Sequence, residues 1–113
     1  MQSVLYTYKA KVTAVYDGDT ITVDWDLGRS IWMRGEKIRL WGIDAPEVRG
    51  EEREQGILAR DALRELILGK EITLRTIKDS KGKYGRYLGI VFVGGIQVND
   101  WMVENGFAEV YHP

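Results

Sequence analysis

Cysteine is absent from the 113 residues, so neither a disulfide framework nor a thiolate metal site can form, and redox chemistry gives no guide to compartment. Long apolar runs are missing too. No stretch approaches a membrane span, and Met1-Gln2-Ser3-Val4-Leu5-Tyr6 lacks the basic start and apolar core of a signal peptide. The chain is therefore expected to be intracellular, unless a leader has been removed, and to have no membrane partner. Net positive charge is lacking as well: 16 Lys and Arg face 17 Asp and Glu, for a net charge of -1. That argues against a protein that holds nucleic acid through its overall field. Histidine occurs once, as His112 near the chain end, where a tail residue is the expected reading. No repeat, linker or low-complexity segment interrupts the chain, which reads as one domain over residues 1–113.

What is present is an ordinary globular composition, 44% hydrophobic and 29% charged, in a chain long enough for one core. The charges are unevenly placed. Lys70, Arg75, Lys78, Lys81, Lys83 and Arg86 outnumber Glu71 and Asp79 in one stretch. In another, Asp44, Glu47, Glu51, Glu52 and Glu54 outnumber Arg49 and Arg53. An acidic pocket facing a basic rim suits a metal-dependent enzyme that grips a polyanion, and solvated faces account for the lysine-rich part equally well.

Alternation of Tyr6, Tyr8, Ala10, Val12 and Ala14 with polar residues predicts a half-buried strand, and Ile21, Val23 and Trp25 predict a second, antiparallel to it. A looser segment with Gly28 and Gly35 leads to a third strand over residues 37–43, ending at Asp44 before Pro46. Residues 48–56 read as a surface loop. Leu58, Ala59, Ala62, Leu63, Leu66 and Ile67 then form a helical stripe, with Gly69 placed as its cap. Ile72 and Leu74 mark a fourth strand, a turn is expected over residues 79–83, and residues 87–93 form a fifth strand before a short helix around Val98, Trp101 and Met102. Three strands, a helix, two strands and a closing helix predict an α+β, mainly β fold, a five-stranded Greek-key OB-fold barrel. Trp25 and Trp101 are expected in the core, and Trp41, on the strand face of Arg39, is expected at the edge of any site there.

Three strings carry the chemistry: Asp17-Gly18-Asp19-Thr20, Ile43-Asp44-Ala45-Pro46-Glu47 and Lys83-Tyr84-Gly85-Arg86. Each alone has a structural explanation. Asp-Gly-Asp is common turn chemistry because glycine accepts positive φ, Asp-Ala-Pro-Glu is a plausible strand terminus, and Lys-Tyr-Gly-Arg is a hairpin end. In this order, with Arg39 upstream of the second string, they assemble carboxylates for a hard cation, one carboxylate for water, and arginines for a phosphodiester.

On these strings and the closing segment from Val98-Asn99 to Gly106, the chain resembles the staphylococcal nuclease (thermonuclease) family over nearly its whole length. The resemblance implies a calcium ion held by Asp19, Asp44 and the main-chain carbonyl of Ala45, with Asp17 and Thr20 behind them. It implies that Glu47 activates or orients the attacking water, and that Arg39 and Arg86 grip the scissile phosphate. Lys83 and Tyr84 would contact a terminal phosphate and the nucleotide ring. Tyr111, in a shortened terminal stretch, would stack on the base. The implied activity is calcium-dependent hydrolysis of DNA and RNA with little sequence preference, leaving 3′-phosphates, by a monomer. A non-catalytic OB-fold module that binds nucleic acid or protein is the alternative, although such copies characteristically lose the acids and arginines retained here.

Overall fold

A computed structural model describes residues 7–77 and 85–112. Its elements run β1 (Thr7–Asp17), β2 (Thr20–Gly28), β3 (Ile31–Leu40), β4 (Ile43–Asp44), a single 3-10 turn (Gly50–Glu52), α1 (Arg53–Ile67), β5 (Glu71–Thr76), β6 (Arg86–Val93), β7 (Ile96–Gln97), α2 (Val98–Glu104) and β8 (Glu109–Val110). β1 pairs antiparallel with β2 and β5, β2 with β3, and β5 with β6. A parallel pairing of β3 with β6, Lys37 opposite Arg86 and Arg39 opposite Leu88, joins the two ends of the sheet. The result is the expected closed, five-stranded OB barrel with two helices.

Alternating residues fill the barrel, with Val12, Ile21, Val23, Ile38, Leu74 and Val91 fully buried. Trp25 lies among them, with the rings of Tyr8 and Tyr87 edge-on at 5.1 and 4.8 Å. Trp101 is only partly buried and stacks on Phe107. The buried line of α1 is Gly56, Ala59, Leu63 and Ile67, and Leu58, expected on that stripe, is 62% exposed. The helix ends where Gly69 adopts φ 79° and its N–H donates to the Val12 carbonyl, tying the cap to β1. Buried Asn99 uses both ends of its amide: Oδ1 accepts from Val91 N–H, and Nδ2 donates to the carbonyls of Trp41 and Gly89. It thereby fastens α2 to β6 and to the turn after β3.

Further local expectations change. Residues 48–56 are not all loop, because a 3-10 turn spans Gly50–Glu52 and α1 already begins at Arg53. A bulge between Val12 and Ala14 resets β1, so Val15 points inward and Ala14 is exposed. The segment read as loose belongs largely to β3, which starts at Ile31 and pairs with β2 through Gly28 opposite Ile31, its alternation broken by a bulge between Val23 and Trp25. Residues 37–43 are not one strand, because β3 stops at Leu40 and Ile43–Asp44 pairs instead with Glu109–Val110. Tyr6 and the turn expected over 79–83 lie outside the described residues.

Candidate active site

The Asp17–Thr20 turn closes the β1–β2 hairpin, with Asp17 opposite Thr20 and the Asp19 N–H donating to Asp17 Oδ1 at 3.1 Å. Gly18 is not there for positive φ, which it does not adopt. A Cβ at this position would lie 2.7 Å from the Ala45 Cβ and 2.9 Å from the Ala59 Cβ. Its missing side chain lets the turn press onto both, and Asp19 is left only 5% exposed.

A carboxylate that deep needs donors. Asp19 Oδ1 accepts from the Thr20 hydroxyl at 3.1 Å, and Oδ2 accepts from the Ala45 N–H at 2.8 Å. Arg39, opposite Thr20 on β3, places Nη1 3.0 Å from Asp19 Oδ2 and Nη2 3.4 Å from Asp44 Oδ1. One guanidinium therefore bridges a buried carboxylate and an exposed one across the two strings. Further along, the Glu47 N–H donates to Glu52 Oε1 at 3.2 Å, and Gly56 of α1 packs against the Glu47 main chain. Helix α1 thus sets where Glu47 stands.

These residues line one cleft of about 1000 Å³, which gathers Asp17, Asp19, Thr20, Arg39, Asp44, Ala45, Glu47 and Arg86. Tyr111 is not in the lining: it is 47% exposed, and its N–H donates to the Gly42 carbonyl. Lys83 and Tyr84 lie outside the described residues. Trp41, expected beside Arg39, lines a separate cavity with Val110 and His112 because the strand has already ended. The cleft also contains residues with no motif to announce them: Tyr16, Lys37, Arg49, Arg60 and Arg64. Arg49 donates to the Tyr16 hydroxyl at 3.3 Å, and Arg64 holds the bulged end of β1 by donating twice to the Val15 carbonyl. Counting Lys37, Arg39, Arg49, Arg60, Arg64 and Arg86 against Asp17, Asp19, Asp44 and Glu47, the cleft carries more positive than negative groups in a chain of net charge -1. That local field favours a polyanion.

The donor chemistry suits a hard divalent cation. Among the described residues no three His, Asp or Glu side chains converge as a metal cluster. The oxygens to hand are instead the carboxylates of Asp19 and Asp44 and the main chain at Ala45. A carboxylate offers about four lone-pair sites; on Asp19 the Thr20, Ala45 and Arg39 donors take three. Asp44, with a side chain 62% exposed, has room to spare. Calcium accepts such a partial, all-oxygen set, completing it with water and substrate oxygens.

Burial raises the pKa of Asp17 from 3.8 to about 6, with the nearby Asp19 charge and a side-chain hydrogen bond to Asp19 acting in the same direction. A folded-state value above the unfolded one means that stability from this group is present below about pH 4 and is lost as pH rises through 6. Asp17→Asn keeps the acceptor for Asp19 N–H and removes the charge. In chelator it should melt higher than wild type at pH 7, with a smaller gap at pH 4.5. Thermal denaturation at the two pH values checks this, and a gap independent of pH would contradict it.

A family model described as Staphylococcal nuclease homologue matches residues 37–113. An uncharacterized protein of Bacillus anthracis is 34% identical over 109 residues, covering 91% of this chain and 47% of that protein. The thermonuclease of Staphylococcus hyicus is 32% identical over 108 residues, 91% of this chain and 60% of that enzyme. An endonuclease of Bacillus subtilis is 32% identical over 114 residues, 92% of this chain but 9% of its own length. The chain thus spans less than two thirds of each of these relatives.

Proposed function

The chain belongs to the staphylococcal nuclease family, and on that premise we propose that it is a calcium-dependent nuclease, hydrolysing phosphodiesters of DNA and RNA with little sequence preference and leaving 3′-phosphates. The observation that carries this reading is the Arg39 guanidinium bridging Asp19 and Asp44 in the cleft that Glu47 and Arg86 also line. Asp19, Asp44 and the Ala45 carbonyl would hold the calcium ion, which when bound supplies Lewis-acid polarisation of a phosphoryl oxygen.

The side chains divide the remaining work. Glu47, exposed at the cleft, holds a water and takes its proton as the water oxygen bonds to phosphorus. Arg39 and Arg86 donate N–H groups to the equatorial oxygens, where charge accumulates as the phosphorus becomes pentacoordinate. The P–O5′ bond breaks, the 3′ side keeps the phosphate, and the departing oxygen takes a proton from solvent. Asp19 orients Arg39 through the 3.0 Å pair, and Thr20 and the Ala45 N–H orient Asp19.

Cleavage of a fluorescent single-stranded DNA, with calcium and with chelator, tests the reading. Cutting that requires calcium is the expected result. A folded protein that binds the strand tightly in chelator and never cuts it would instead be a binding module.

A further inference from the structure

We infer that the outer face of β1, β2 and β3 is a binding track for the single strand flanking the scissile phosphate, with Trp32 as a base-stacking platform at its far end. This rests on the nuclease reading and extends it from the cleft to the strand beyond.

The register defines the face. Ile21, Val23 and Trp25 point into the barrel, so Thr22, Asp24 and Asp26 lie on the outer face, with Thr20 at its buried, cleft end. Across β3 their neighbours are Arg39 opposite Thr20, Lys37 opposite Thr22 and Trp32 opposite Asp26, while Arg34 reaches Asp24 in a 3.0 Å ion pair. The first two rows are part of the cleft lining, so the track is continuous with the site. Along β2, from position 20 to position 26, it runs about 20 Å at ~3.3 Å per residue. OB barrels engage roughly 4–16 nucleotides of single strand, and this length falls at the lower end of that range.

Charge on the face matches a phosphate backbone. Two of its acids lie on the central strand, where Asp24 stands opposite Lys11 and Asp26 opposite Lys9 on β1, and a third, Asp17, stands opposite Thr20 at the cleft end. Asp24 is already paired with Arg34, and Asp26 accepts the Gly28 N–H. Lys9, Lys11, Arg34 and Lys37 are all exposed, so cations outnumber acids where a strand would lie.

Trp32 supplies what a charged face alone does not. The residue is 42% exposed, and the Arg34 guanidinium sits 5.0 Å from the centre of its ring. Arg34 reaches from Asp24 to the indole, so one face of the ring already carries a cation. Every base has a π face, so stacking here tolerates any sequence. At the hairpin tip Arg29 and Ser30 both hold left-handed φ, 56° and 65°. A glycine pair would take that turn without strain, and the chain keeps an arginine there instead.

The test is end-labelled oligothymidylate of three or twelve nucleotides, followed by fluorescence anisotropy in chelator, with wild type, Trp32→Ala and Trp32→Phe. Wild type should bind the twelve-mer more tightly than the three-mer. Trp32→Ala should weaken the twelve-mer about 5- to 50-fold, leave the three-mer unchanged and keep the wild-type circular dichroism, while Trp32→Phe recovers most of the loss. Equal binding of the twelve-mer by Trp32→Ala and wild type would overturn the track. So would a wild type with no length advantage that still cuts both strands with calcium, and that result leaves the nuclease reading standing. A wild type that neither binds nor cuts either strand removes both. Sedimentation showing a dimer that Trp32→Ala dissociates would assign the tip to a second copy of the chain and overturn the track.

Discussion

Exchange of Glu47 for glutamine should slow cleavage by ~10²–10⁴-fold, the usual contribution of a positioned proton acceptor. Stability should change by less than ~0.5 kcal/mol. The separation follows from how the residue is held. Its side chain is exposed in the cleft, whereas the neighbours contact its main chain: Glu52 accepts the N–H, and Gly56 packs beneath the carbonyl. Glutamine has the same shape and leaves both contacts in place; it loses only basicity. Single-turnover cleavage of a labelled strand in calcium, beside a melting curve, measures both quantities. A rate within threefold of wild type would remove Glu47 from the chemistry.

Gly56→Ala should do the opposite, damaging stability and activity together without touching any ionisable group. A Cβ at position 56 would overlap the Glu47 carbonyl, and the obstacle is main chain on both sides, with no flexible side chain to swing aside. Relief requires the helix or the Glu47 loop to move. Overpacking of this kind costs about 1–3 kcal/mol, and displacement of a reacting group by about 1 Å lowers a rate by roughly 100-fold. The rate should be measured well below the variant's melting temperature, where the chain is folded. Full activity there would mean that α1 does not position Glu47.

Legibility in the sequence followed how local each signal was. β2 could be read residue by residue because Ile21, Val23 and Trp25 alternate without interruption, and all three are buried. β1 could be read only as far as Val12, because the bulge that follows puts two residues where one was counted, and no residue type marks it. The outer arm of β3 looked irregular because pairing with β2 slips between Val23 and Trp25. The stripe of α1 included Leu58 on hydrophobicity alone, whereas the helix turns Gly56 inward to approach Glu47 closely, a requirement set by a loop outside the helix. In the site, Asp19, Arg39, Asp44 and Glu47 stood in recognisable strings and converge on one cleft. Tyr16, Lys37, Arg49, Arg60 and Arg64 reach the same cleft from separate elements, where each reads as an ordinary surface residue until the barrel brings them together.

The parallel seam between β3 and β6 sets when the site comes into being. It joins position 37 to position 86, so it must wait for most of the chain to be made, and its loop-closure entropy is met before its contacts repay it. Arg39 stands on one side of that seam and Arg86 on the other. A nascent chain still short of β6 carries both aspartates and the glutamate but only one of the two arginines. The cleft therefore gains its second arginine only once this long-range pairing has formed, and a chain stopped before β6 has an incomplete lining.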